Sequence, residues 1–299
     1  MKGIISIFVM PQEIDDLALT LERLKRNSAF IDKSVEYGVD ITMCLSDELT
    51  DWENSKLPIE YFEDRTRELV EKYCDWCKYK TLTFEKSNGI LGCVSQRRES
   101  LRNHPDADFF IWLDTDIVFK DTTLYYATSA YQIVKNEGMD MFVVTPQFVK
   151  QWDNTWDIVA NKKYWNYPIN YHLDCNIYEE GLPQIEEVNV TQIGGFKFAG
   201  GWFTLISKSL LDKVGIPESF GHYGLEDTFV MAGASILSQR GENTGQFILE
   251  NLIVGENHKN RPNQSIKRYL SLRDRKEEFK QIAHNNWESE INNFINNSK

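Results

Sequence analysis

Two aspartates separated by a single threonine, Asp114 and Asp116, leave the apolar run Phe109-Phe110-Ile111-Trp112-Leu113. Carboxylates that close repel one another unless a positive group stands between them. A hard divalent cation is a fitting partner, since such ions prefer carboxylate oxygens; a strand-end turn with solvated acids is the plainer account. A second group runs Phe198-Ala199-Gly200-Gly201-Trp202-Phe203 and then Gly221-His222-Tyr223-Gly224-Leu225-Glu226-Asp227. Paired glycines let a backbone approach a ligand closely, and Trp202 offers a flat apolar face for a sugar ring. Glu226 and Asp227 stand where a helix begins, either as reactive acids or as carboxylates complementing the helix dipole. A third group, Gly255-Glu256-Asn257-His258, closes the apolar run Phe247 to Val254 and is either a ligand or a surface histidine.

Elements of the right kind precede each group. Gly3 to Val9 is a β-branched run ended by Pro11, a buried strand. Leu17, Leu21 and Leu24 give Ile14 to Lys25 a helical spacing, and Val39 to Leu45 alternates as a second strand. Asp64 to Cys77 reads as a helix, Thr81 to Phe84 as a strand, and Gly89 to Asn103 as a helix after a glycine-rich start. The strand at 109–113 follows, then a helix N-capped by Asp121 and stopped at Asn136-Glu137-Gly138, then a strand from Met141 to Val144 closed by Pro146. Such alternation predicts an α/β fold with a mostly parallel, helix-covered sheet. Ligands of such sheets gather at the carboxyl ends of the strands, where Asp47 and the Asp114/Asp116 pair fall. Beyond residue 150 the alternation lapses into an aromatic stretch from Trp152 to Tyr171. Phe198 to Ser207 then reads as a strand, Glu226 to Leu237 as a helix, and about 265 to 299 as a charged helical end.

Composition excludes several classes. With 41% hydrophobic residues among 299, the chain has ample material for a core. A formal charge of −12 argues against a surface that binds polyanions everywhere. Five cysteines carry one lone C-x-x-C, Cys74 to Cys77, which reads as ordinary reduced thiols rather than a zinc site. No stretch approaches the ~20 apolar residues of a membrane helix, and the N-terminus shows no cleavage pattern. The expectation is a soluble, cytoplasmic chain in which the sequons at Asn189 and Asn263 are chance matches.

Taken in order, the three groups resemble the GT-A class of nucleotide-sugar glycosyltransferases, and Phe198 to Asp227 is similar to the galactosyltransferase-like branch. The resemblance covers roughly residues 3 to 260. It implies a Rossmann-like fold over 1–264, with a nucleotide-binding half (1–120), an acceptor half (121–264) and a helical extension (265–299). By the same resemblance Pro11, Gln12 and Glu13 would grip the nucleotide and Asp47 would face its base or ribose. Arg97, in Gly92-Cys93-Val94-Ser95-Gln96-Arg97-Arg98, would lie near the nucleotide, as would Thr115 and the Gly201-Trp202 pair. Asp116 and His258 would ligate Mn²⁺ (or Mg²⁺), with Asp114 at the ribose or at a metal-bound water. Asp227 would be the catalytic base and Glu226 an acceptor-binding acid. Where the family carries a tryptophan-rich stretch before its acid pair, this chain has His222-Tyr223-Gly224-Leu225.

The chemistry implied is transfer of a sugar from a nucleotide-sugar, a UDP-sugar by preference, to an acceptor hydroxyl. A mixed carboxylate and imidazole set suits Mn²⁺ better than Mg²⁺. Lys259 and Arg261 would add charge to the phosphates. The acceptor is a glycan or another hydroxyl. From Lys259 to Lys280 there are eight Lys/Arg against three Asp/Glu, so DNA bearing hydroxylated bases is a further candidate. Two rivals stand beside this reading. Asp114-Thr115-Asp116-Ile117-Val118 also resembles the nucleophile motif of haloacid-dehalogenase-like phosphohydrolases, with Asp114 attacking phosphorus. A non-catalytic, metal-dependent sugar-binding protein would explain all but Glu226 and Asp227.

Overall fold

The structure is a computed structural model describing residues 1–45, 51–52, 55–86, 92–149, 187–196, 201–256 and 263–297. Its centre is a nine-stranded sheet in the order β5-β2-β1-β6-β10-β8-β11-β7, with β9 paired to β11. The strands are β1 (Lys2–Val9), β2 (Glu36–Cys44), β5 (Tyr79–Glu85), β6 (Phe109–Asp114), β7 (Ile117–Val118), β8 (Met141–Val149), β9 (Val190–Gln192), β10 (Phe203–Ser207) and β11 (Thr244–Glu256); β3 (Asp51–Trp52) and β4 (Ser55–Lys56) form a separate pair. The run β5-β2-β1-β6 is parallel throughout, whereas β10 runs against both β6 and β8. The register aligns Phe8 with Asp114, Val9 with Met43 and Cys44 with Glu85, so four carboxyl ends share one edge.

The period-2 alternation of β6 explains why the sheet is covered on both sides. Phe109, Ile111 and Leu113 enter one core with α1 (Ile14–Asn27), α2 (Ile59–Tyr73) and α4 (Thr123–Asn136). Phe110 and Trp112 enter a second core with α3 (Cys93–Asn103), α5 (Lys208–Val214) and α6 (Glu226–Gln239). The long α7 (Asn263–Asn297) joins this layer, burying Ala283 and Phe294 and setting Trp287 against Phe220 and Phe229. Among the described residues no helix is long and apolar enough to cross a membrane.

The expected α/β sandwich is present, with its boundaries moved at several points. Helix α2 starts five residues before the expected Asp64, because Pro58 occupies the N-cap with a fitting φ of −66° and Phe62 is already buried. It ends at Tyr73, so Cys74 and Cys77 fall in the turn beyond it, both as free buried thiols. Asp121 does not cap α4; Thr122 holds the N-cap and Asp121 faces Arg26 at 3.7 Å. Gly138, at φ +87°, marks the stop expected there. Strand β8 does not close at Pro146 but runs to Val149. Its pairs to β10 involve only Val143 and Val144, so at Pro146 the strand is paired on the β11 side alone, the edge-like position where a residue without an N–H is tolerated.

Candidate active site at the carboxyl edge

The Asp114-Thr115-Asp116 turn leaves β6 at the shared edge and is held from below. Thr115 is buried; its hydroxyl donates to Glu13 Oε2 (3.2 Å), and its carbonyl accepts from the Thr20 hydroxyl (2.7 Å). Glu13 also accepts from the Met10 backbone N–H at 3.1 Å. Glu13 Oε2 and the Thr115 hydroxyl therefore tie the loop after β1 to the turn after β6, so these two atoms are engaged within the protein. Asp114, 51% exposed at its side chain, and the half-buried Asp116 remain at the surface of the turn.

The glycine-tryptophan segment meets this turn directly. The Asp114 N–H donates to the Trp202 carbonyl at 3.3 Å, and Phe203 pairs with Leu113. The ring of Trp202 is only 6% exposed and packs in the first core. It is thus no open platform for a sugar, a correction that follows from β10 being a central strand. Gly201 is close-packed too, but against the protein itself: a Cβ there would overlap Arg97 Nη2 and lie 2.7 Å from its Cζ. The space that glycine leaves is filled by a guanidinium rather than kept for a ligand.

Arg97, carried on α3, brings the distant groups together. Its side chain is 6% exposed, with Nη1 donating to Glu226 Oε1 and Nη2 lying 3.5 Å from Asp114 Oδ1. The guanidinium carbon stands 4.6 Å over the Trp112 ring. Glu226 is as buried as its partner, so its carboxylate is engaged by Arg97 and not presented to an acceptor. Asp227, half-buried in the first turn of α6, accepts from the Thr228 N–H at 2.6 Å. Burial, then the neighbouring Glu226 charge, push its carboxyl up to about 6, with Arg97 pulling the other way. That places its proton near neutrality, where a general base works best.

A residue the sequence reading passed over, Glu85, ends β5 on the same edge. It stands 3.3 Å from His222 Nδ1, and its Oε2 fills the space where a Cβ on Gly92 would go. Burial raises its carboxyl above the usual range, and His222 pulls it back. The signal for it was available: a carboxylate at the end of a parallel strand, on the same sheet edge as Asp114. Pro11 is buried in the turn after β1.

Among the described residues, no three His, Cys, Asp or Glu side chains converge to hold an ion. Asp47, His258, Lys259, Arg261, the aromatic stretch 152–171 and the side chains of Gln12 and residues 263–279 lie outside the described residues. Strand β11, which leads to His258, pairs at Glu256 with Ile117, the neighbour of Asp116. As donor types, a carboxylate such as that of Asp116 and an imidazole suit a divalent cation.

The edge-on site and the sheet that carries it define a GT-A-like α/β fold. The neighbours among solved structures are particular proteins. TarS of S. aureus (residues 1–349) matches with a TM-score of 0.50 at 15% identity, covering 86% of this chain and 60% of that one. GalNAc-T7 with UDP, GalNAc and Mn²⁺ matches with a TM-score of 0.45 at 9% identity, over 86% of this chain and 44% of its own. The inositol-1-phosphate CTP transferase of T. maritima matches with a TM-score of 0.43 at 11% identity, over 89% and 93%. The chain thus spans about 60% of that TarS 1–349 chain. No protein-family model and no curated protein matches the chain.

Proposed function

We propose that the protein is a metal-dependent glycosyltransferase that moves a sugar from a nucleotide-sugar, a UDP-sugar by preference, to an acceptor hydroxyl. One observation carries the reading: Arg97 joins Asp114, at the end of β6, to Glu226, at the start of α6, although 112 positions separate the two acids in sequence. In a GT-A-like fold that junction is where a donor and an acceptor would meet. Asp116 and His258 would hold the cation, with Asp114 behind a bound water, and the pairing of Glu256 beside Ile117 favours that set. A bound Mn²⁺ or Mg²⁺ would stabilise the charge that gathers on the diphosphate as the anomeric bond breaks. Lys259 and Arg261 would neutralise part of the same charge.

On the acceptor side Asp227 takes the proton from the attacking hydroxyl, a role worth about 10²–10⁴-fold. Attack at C1 from the face opposite the leaving diphosphate gives inversion. A glycan is the first candidate acceptor, and hydroxylated DNA the second if the basic segment from Lys259 to Lys280 lines a groove. The test is a panel of UDP-sugars with Mn²⁺, read as UDP release and as mass added to acceptor. One donor should turn over slowly without acceptor. Asp116→Ala should abolish release, and Asp227→Asn should bind the donor but transfer nothing. Release from Asp116→Ala at the wild-type rate would refute the metal assignment.

A further inference from the structure

The geometry points to Arg97 as a positioning residue that locks Asp114 and Glu226 into one constellation, and to Gly201 as the position left without a side chain to seat it. What the constellation serves rests on the glycosyltransferase reading; the lock itself rests on contacts alone. One planar group meets three demands at once: Nη1 on Glu226, Nη2 beside Asp114, and its face over Trp112. A lysine offers a single point charge with no fork and no flat face, so it cannot fill the same place. Stability does not account for the pair, because a buried ion pair is commonly matched or bettered by apolar residues of like volume. Position does account for it, since each partner belongs to a different piece of the site.

Helix α3 grips the segment before α6 at three points. The Val94 N–H donates to the His222 carbonyl (3.0 Å), and Arg98 donates to the carbonyls of Pro217 (2.8 Å) and Gly221 (3.1 Å). Arg97 then takes Glu226. Between these anchors Leu225 is held at φ +67°, the sole non-glycine residue with positive φ among those described. Left-handed backbone at a branched side chain costs energy and persists only where surroundings over-determine it. It turns the chain into α6 so that Glu226 meets Arg97 and Asp227 follows in the first helical turn. Gly201 completes the lock from the other side. Its Cβ would strike Nη2, the nitrogen that faces Asp114, more closely than Nη1, which lies at 2.9 Å.

The test compares Gly201→Ala, Arg97→Lys and the double variant. Because the obstructed atoms are the tip of a side chain, Gly201→Ala should fold and displace Nη2 from Asp114. Each single variant should lose about 10–100-fold in kcat, the scale of a misplaced reacting group, with donor KM changed far less. The double variant should be no slower than the worse single one, since both remove the same contact. The ¹⁵N–¹H signal of Arg97 Nε, assigned by its absence from Arg97→Lys, should exchange slowly in the wild type and shift in Gly201→Ala. Losses that multiply in the double variant, or an unchanged Nε signal and kcat in Gly201→Ala, would overturn the inference. Should Gly201→Ala not fold, a wild-type kcat in Arg97→Lys would overturn it alone. If the wild type transfers no sugar from any donor, the glycosyltransferase reading fails, and the Nε signal of Gly201→Ala still decides whether Gly201 seats Arg97.

Discussion

Replacing Asp227 with asparagine should make the unliganded protein more stable at neutral pH and, on its proposed role as base, abolish transfer. The carboxyl ordinarily titrates at 3.8 and is pushed up to about 6 in the fold, first by burial and then by Glu226. Because the folded value is the higher one, the folded state holds the proton more tightly than the unfolded chain. That contribution is complete below about pH 4 and is lost as pH rises through about 6. A displacement from 3.8 to about 6 corresponds to about 3 kcal/mol at most, and partial exposure of the side chain reduces it to about 1–3 kcal/mol. Asparagine keeps the oxygen that accepts from the Thr228 N–H but carries no charge to bury. Thermal unfolding of the two proteins from pH 4 to pH 8 checks this. Near 2 °C per kcal/mol for a chain of this size, Asp227→Asn should melt about 2–6 °C higher at pH 7.5, and the difference should vanish by pH 4. On the proposed role of Asp227 as base, wild-type kcat/KM should rise with pH through about 6 as its carboxyl loses the proton. A variant that melts lower than wild type at pH 7.5, or a difference that ignores pH, would refute the account of Asp227 as a carboxylate held charged against its surroundings.

Other perturbations bear on the scaffold. A Cβ on Gly3 would lie 2.5 Å from Cε2 of the buried Phe109 ring, so Gly3→Ala should cost about 1–3 kcal/mol in denaturant unfolding without altering kcat at low temperature. Trp287 stacks on Phe220 at 6.0 Å and meets Phe229 edge-on at 5.9 Å. Trp287→Ala should cost about 2–3 kcal/mol, with hydrogen exchange rising first over residues 280–297. Arg97→Met strands the buried Glu226 carboxylate and should cost about 3–5 kcal/mol at pH 8, whereas Arg97→Met with Glu226→Met should restore most of the loss. Equal stability of both proteins would show that the pair is not buried as described.

Local patterns carried much of this protein. The apolar run 109–113 ending in Asp114 is a central strand at its carboxyl edge, because five consecutive buried side chains can be satisfied only by cover on both faces of a sheet. The β-branched run of β1, the leucine spacing of α1 and the positive-φ glycine at 138 likewise depend on neighbours in sequence. Residue types were legible in the same way: Asp114, Asp116, Glu226, Asp227 and Arg97 could all be singled out as chemically able. What each one does was another matter, because a side chain's exposure depends on elements far along the chain. Trp202 reads as a sugar platform until β10 is known to lie between β6 and β8. Gly201 reads as room for a ligand until Arg97, on a helix a hundred positions earlier, is found to occupy the space. Glu13 and Thr115 bond to each other because β1 and β6 are adjacent, an adjacency no local signal encodes. Periodicity and side-chain chemistry therefore determined the layers and the cast of acids, while partnership across the sheet decided which charges are sequestered, since Coulomb attraction and close packing act through space and are indifferent to sequence distance.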